Sequence, residues 1–167
     1  MKLRKACHED TEAMMEIVKQ AQSDLKKMNV NQWQNGYPNE HVLHQDIELE
    51  KAYVMTADHQ IIGLMVISIK DETTYDPLKT WIREDYLVIH RFAVRKEMQR
   101  TGVASQMIQE ASVIAKQHQL DSLRIDTHEK NVRMRRFLEK NHFEQRGFIS
   151  LKDGSPRIAY ELILPLN

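Results

Sequence analysis

Apolar positions along the 167-residue chain change period several times, and each change marks an element. Lys2 to Lys5 reads as a short first strand. After His8-Glu9-Asp10, the residues Met14, Met15, Ile17, Val18, Ala21 and Leu25 recur at three- and four-residue steps, which predicts a first helix. Asn29 to Asn39 holds Trp33, Tyr37 and Pro38 among Asn, Gln and Gly and reads as a loop. Glu40 to Glu48 then resumes helical spacing through Val42, Leu43 and Ile47. Lys51 to Ala57 and Gln60 to Ile69 are β-rich runs on either side of Asp58-His59, the pattern of an antiparallel hairpin. Lys70 to Arg83, with Asp76-Pro77, is a loop, and Tyr86 to Val94 is the next strand. Val103, Met107, Ile108, Ala111, Ile114 and Ala115 form the stripe of a third helix that should pack on the sheet. Ser122 to Asp126 is a short strand and Asn131 to Lys140 a helix. His142 to Leu151 and Arg157 to Leu164 are a closing strand pair around Asp153-Gly154-Ser155-Pro156. The expected order is β-α-α-β-β-β-α-β-α-β-β.

Composition narrows the classes of partner. The chain is of a length for one domain, and neither a fixed-period repeat nor a Pro-, Ser- or Gly-rich linker divides residues 1–167. Lys plus Arg and Asp plus Glu number 24 each, so the net charge is zero and the electrostatic footprint of a nucleic-acid binder is missing. A single cysteine, Cys7, cannot form an intramolecular disulfide, and the N-terminal residues carry no apolar signal core, which favours the cytoplasm. Runs such as Ile61 to Ile67 are far shorter than the roughly 20 residues that span a bilayer, so no membrane partner is expected.

The candidate chemistry centres on Gln99-Arg100-Thr101-Gly102-Val103-Ala104, between an apolar strand and an amphipathic helix. A diphosphate needs several donors converging on anionic oxygens, and consecutive N–H groups at a helix start supply them together with the helix dipole. Gly102 leaves room for close approach of a ligand, Ala104 keeps the next turn small, and Gln99 and Arg100 add donors at the rim. The bland alternative is a glycine that merely starts a helix. A P-loop is excluded because no Gly-Lys-Ser/Thr is present, and a dinucleotide fingerprint because its further glycines are missing.

Val88-Ile89-His90-Arg91-Phe92-Ala93-Val94, followed by Gln99 to Ala104, resembles the central motif of the GCN5-related N-acetyltransferase (GNAT) family, whose loop reads Arg/Gln-x-x-Gly-x-Gly/Ala. Asp126 to Asn131, then Phe137 to Phe143, resembles that family's Asn-containing helix and closing strand. The resemblance spans nearly the whole chain. It implies a single α+β (α/β) domain with a mixed, mostly antiparallel sheet flanked by helices and a splayed central strand pair. It further implies that backbone groups of Phe92, Ala93 and Val94 pair with the pantetheine arm of acetyl-CoA, while Gln99, Arg100, Thr101, Gly102, Val103 and Ala104 hold the diphosphate. An N–H of the same strand would stabilise the oxyanion of the attacked thioester, such donors being worth roughly 3 to 4 kcal/mol when preorganised.

Further site residues follow from the same resemblance. Asn131 matches the family's asparagine near the cofactor arm and is equally suited to cap the following helix. Arg133 is the candidate for the 3′-phosphate. Where many relatives carry a tyrosine that protonates the departing thiolate, this chain has Phe137, which has no acidic proton. A thiol pKa of about 8.5 makes the thiolate a tolerable leaving group without that acid.

The central strand also lacks the carboxylate that often serves as base, which leaves His90, either as a proton relay through water or as a structural histidine. Strand alternation puts Tyr86, Val88, His90, Phe92 and Val94 on one face if no bulge intervenes. Trp33 and Tyr37 either line the acceptor wall or cap the core. His41 and His44 have no third ligand, so no metal is expected.

The expected function is acetyl transfer from acetyl-CoA to a primary amine of a small molecule or peptide. The alternative is a non-catalytic acyl-CoA-binding sensor. Exposed antiparallel edges offer a route to a homodimer.

Overall fold

The computed structural model describes residues 1–165. The strands are β1 (Lys2–Lys5), β2 (Ala52–Ala57), β3 (Gln60–Ile69), β4 (Tyr86–Val94), β5 (Ser122–Thr127), β6 (Glu144–Ser150) and β7 (Pro156–Ile163). The α-helices are α1 (Thr11–Lys27), α2 (Glu40–Glu48), α3 (Val103–Gln117) and α4 (Val132–Lys140). The element order is the expected one, and the sheet order is β1-β2-β3-β4-β5-β7-β6. β4 and β5 pair in parallel, whereas β1 with β2, β2 with β3, β5 with β7 and β6 with β7 are antiparallel. The chain therefore has the mixed, mostly antiparallel sheet and four helices expected of an α+β protein.

The chain divides into two compact units, Met1–Ile67 with His90–Glu110, and Ser68–Ile89 with the residues from Ala111 onward. In the first, Met14, Ile17 and Val18 of α1 and Leu43 and Ile47 of α2 pack with Val54 of β2, Leu64 and Val66 of β3 and Ala93 of β4. Full burial of each such aliphatic side chain stabilises by roughly 1.5 to 3 kcal/mol. The β2–β3 turn is the tight hairpin predicted. Asp58 and His59 both have positive φ, 47° and 62°, which matches the twist of the flanking strands. Asn39 caps α2 by accepting the Val42 N–H at 3.0 Å.

In the second unit, Tyr75, Tyr86, Val88, Ile149 and Ala159 form one core cluster. Glu161 of β7, fully buried, accepts hydrogen bonds from the Ile82 N–H (3.0 Å), the Arg83 N–H (3.2 Å) and Arg146 Nε (2.7 Å). Arg124 stacks over the rings of Trp81 and Tyr86, at 4.1 and 3.6 Å from their centroids. A buried carboxylate is tolerated here because it has charged and N–H donors on several sides.

Candidate active site

In the first unit, β4 is not a regular strand. Arg91 has φ +47°, a left-handed conformation that interrupts the two-residue alternation. The expectation that Tyr86, Val88, His90, Phe92 and Val94 share one face is corrected at that point. Residues Tyr86 to Ile89 are buried, His90, Arg91 and Phe92 are half-buried, and Ala93 is buried again. The Arg91 side chain explains how the bulge is held. Its Nε and Nη2 each donate to a carboxylate oxygen of Asp46 at 2.6 Å, and Nη1 donates to the Tyr37 hydroxyl at 2.7 Å.

The chain leaving β4 is equally constrained. The Arg95 N–H donates to the Ile62 carbonyl at 2.8 Å, Arg95 Nε donates to the Ile61 carbonyl at 3.0 Å, and the Lys96 N–H donates to Gln20 Oε1 at 2.9 Å. A 3-10 turn, Lys96–Met98, follows, closed by the Thr101 hydroxyl donating to the Met98 carbonyl at 2.7 Å. Arg100 (φ +66°) and Gly102 (φ +92°) then turn the backbone into α3. A side chain at Gly102 would meet nothing within 4 Å, so glycine is required there by backbone conformation and the loop's outer side is open. The Gln106 N–H donates to the Gly102 carbonyl, 3.0 Å, which leaves the N–H groups of Val103, Ala104 and Ser105 ahead of the first intrahelical bond. α3 sits close to β3 at Gly63, where a Cβ would lie 2.7 Å from Met107 Sδ. The result is an open helix start with aligned N–H donors, the geometry that holds a phosphate.

Elsewhere in this unit, Trp33 is half-buried and packs against the core of α1, α2 and the strands. Tyr37 is about 45% exposed, and its hydroxyl accepts from Arg91 Nη1. Gln22 Nε2 donates to the carbonyls of Tyr37 and Pro38 at 3.0 and 3.1 Å and ties the loop to α1. A polar groove of about 620 Å³ is lined by Arg4, Asp10, Glu16 and Arg95 among others, and these charges pair internally. His44 lies against Glu40 and the His8 ring. Among the described residues no group of three or more His, Cys, Asp or Glu could hold a metal ion.

In the second unit, Asn131 caps α4 by accepting the Met134 N–H at 3.2 Å, so the capping reading is realised. Arg133 is exposed and Phe137 half-buried on α4. Arg135 is taken up by structure, donating to the Tyr160 hydroxyl at 3.2 Å and to the Glu129 carbonyl at 3.1 Å. Sequence reasoning missed one group here. Asp126 accepts a hydrogen bond from the buried Tyr75 hydroxyl at 2.8 Å, and burial pushes its carboxyl up to about 6. An acidic residue near the end of the short β-strand Ser122 to Thr127 was the available signal.

The family model of the GNAT acetyltransferases matches residues 12–143, from α1 through the end of α4. The chain belongs to the GNAT acetyltransferase family. Among solved structures, a GNAT acetyltransferase from Streptococcus agalactiae is 28% identical, covering 99% of this chain and 96% of that one, with a TM-score of 0.88. Ard1 from Thermoplasma volcanium (18% identity, 99% and 98% coverage, TM-score 0.73) shares the fold. So does the ribosomal-protein-alanine N-acetyltransferase of Brucella melitensis (15%, 98% and 100%, TM-score 0.71). None of the curated proteins matches the chain. Members of the GNAT family are acyltransferases, and the fold generally uses acetyl-CoA as donor. The open start of α3 in this GNAT chain suits the diphosphate of such a donor. Among the described residues, no helix is long and apolar enough to cross a membrane.

Proposed function

We propose that this GNAT chain is a single-domain, cytoplasmic N-acetyltransferase that transfers the acetyl group of acetyl-CoA directly to a primary amine of a small molecule or peptide. The observation that carries the reading is the loop into α3. Gly102 at φ +92° turns the chain so that successive N–H groups from Val103 onward start the helix on an open side. Gln99, Arg100, Thr101, Gly102, Val103 and Ala104 would hold the diphosphate, and backbone groups of Phe92, Ala93 and Val94 would pair with the pantetheine amides. For Asn131, Arg133 and Phe137 the support is their match to the family's helix. His90, beside the bulge, is proposed to pass a proton between acceptor and water, and Tyr37 to line the acceptor wall.

The test has two stages. Calorimetric titration with acetyl-CoA should give saturable binding that Gly102→Val weakens by at least tenfold. Thiol release is then followed with spermidine, glucosamine and an alanine-initiated peptide as acceptors. Amine-dependent release supports transfer, whereas tight binding with no release to any of them would favour a non-catalytic acyl-CoA sensor.

A further inference from the structure

Three polar residues of α1, Glu16, Gln20 and Asp24, recur every four positions and so share one flank of the helix, beside the buried face of Met14, Ile17, Val18 and Leu25. Each meets the turn that leaves β4. Arg95 Nη1 and Nη2 both donate to Glu16 Oε2 at 3.2 Å, the Lys96 N–H donates to Gln20 Oε1 at 2.9 Å, and the Lys96 ammonium lies 3.8 Å from Asp24 Oδ1. Carboxylates thus face the two cations, and the neutral amide between them takes the backbone donor.

From Lys96 the bonds continue to the start of α3, all within the first unit. The Gln99 N–H donates to the Lys96 carbonyl at 3.2 Å, the Met98 N–H to the Arg95 carbonyl at 2.9 Å and the Thr101 hydroxyl to the Met98 carbonyl at 2.7 Å. Arg100 and Gly102 then turn the chain into the N–H groups of Val103, Ala104 and Ser105. An anion gains most from such donors when they are held in place before it arrives, since ordering them on binding costs entropy. The turn is short and polar, with Lys96 and Glu97 exposed, so its order depends on the elements that hold it. The sheet holds it at Arg95 through the carbonyls of Ile61 and Ile62, and α1 holds it one residue later at the Lys96 N–H.

We propose that Gln20 is a positioning residue for the acyl donor, holding the β4–α3 turn from α1 so that the N–H groups at the start of α3 are preorganised for the diphosphate. This rests on the acetyl-CoA reading above. Gln20 acts through the Lys96 N–H rather than by touching the donor.

A second glutamine on the same helix supplies the control. Gln22 lies about 200° round the helix from Gln20, on the opposite flank of the apolar face. Its Nε2 donates to the carbonyls of Tyr37 and Pro38, so it holds the α1–α2 loop and not the donor turn. Both glutamines are half-buried, and together they separate an effect on the donor turn from a general weakening of α1.

Calorimetric titration with acetyl-CoA tests the assignment. Gln20→Met keeps length and helix propensity but loses the acceptor, and should raise the Kd roughly fivefold, about what one net hydrogen bond supplies. Lys96→Pro removes the same bond from the donor side, at the first position of a 3-10 turn and after an extended Arg95 (φ −49°, ψ 136°), where proline fits. In the Lys96→Pro background Gln20→Met should change the Kd less than twofold, because the bond it serves is already gone. A merely structural glutamine would weaken binding equally in both backgrounds. Gln22→Met should leave the Kd within twofold of wild type. Gln20→Met with a Kd within twofold of wild type, equal losses in the two backgrounds, or an equal loss in Gln22→Met overturns the proposal and leaves the acetyl-CoA reading standing. Should Gln20→Met fail to fold by circular dichroism, Lys96→Pro compared with Lys96→Met, which keeps the N–H, decides, and Kd values within twofold of each other overturn the proposal. Wild-type protein that does not bind acetyl-CoA overturns both readings together.

Discussion

Arg91 and Asp46 form a bidentate ion pair, 2.6 Å at each contact, between the left-handed bulge of β4 and the buried side of α2. Asp46 follows Leu43 by three residues and precedes Ile47, so helical geometry carries its carboxylate inward with the apolar face. The pair therefore fastens α2 to the strand proposed to bind the acyl donor, and through Nη1 the same guanidinium also holds the Tyr37 hydroxyl.

Asp46→Ala should be among the more damaging single substitutions in the first unit. It leaves the mostly buried Arg91 without its carboxylate, and removing one partner of such a pair costs about 3 to 5 kcal/mol. Urea unfolding would show the loss as a lower midpoint with little change in slope. Tyr37→Phe, which removes one donor–acceptor contact at an exposed ring, should cost about 1 kcal/mol or less.

Gly102→Ala isolates backbone conformation from steric fit. No protein atom lies within 4 Å of the added Cβ, yet φ is +92°. The variant should lose about 1 to 2 kcal/mol of stability from the left-handed strain alone, measured by chemical denaturation. If the open helix start holds the diphosphate, the same change should also raise the Kd for CoA in a calorimetric titration.

Acid sensitivity should arise at the start of the chain. Arg4 donates to both oxygens of Asp10, 2.6 and 2.8 Å, and holds that carboxyl down at about 2. A depressed carboxyl stabilises the fold above its unfolded value, near 3.8, and the stabilisation is lost as pH falls through about 2. Asp10→Asn should therefore be less stable than wild type by about 2 kcal/mol at pH 7, with the difference closing between pH 4 and 2 in thermal melts.

Asp126 carries the opposite sign. Its folded carboxyl is raised to about 6, so its contribution favours the fold below pH 4 and is lost as pH rises through 6. Asp126→Asn should melt at a higher temperature than wild type at pH 7.5, by up to about 3 kcal/mol of stability, and the advantage should vanish below pH 4. A variant that is less stable than wild type at pH 7.5 would contradict this.

Phe137→Tyr places a phenol where many relatives carry the acid that protonates sulfur. Because a thiolate leaves readily near neutral pH, the single-turnover rate should be unchanged or lower. A large gain in that rate would instead show that protonation of sulfur limits the reaction.

The hairpin at Asp58-His59 and the glycine before α3 were legible because each is a local rule. A dipeptide between β-rich runs and a small residue at a strand-to-helix turn need only their neighbours to be recognised. The bulge at Arg91 was not legible. Val88 to Val94 contains no glycine, and its left-handed residue is stabilised by a carboxylate 45 positions away. For Asn131, the Met134 N–H established the cap.

Element order, the hairpin and the site of the open helix start were thus determined by the sequence alone, since hydrophobic period and turn chemistry act over a few residues. Only the tertiary structure decided which charges are compensated. Glu161 and Asp126 are both acidic residues within strands, but Glu161 has Arg146 and two N–H donors, while Asp126 has a phenol 51 residues distant. Desolvation and pairing depend on what the rest of the chain brings alongside, and they set whether a carboxylate is held charged by its partners or is left with a raised proton affinity.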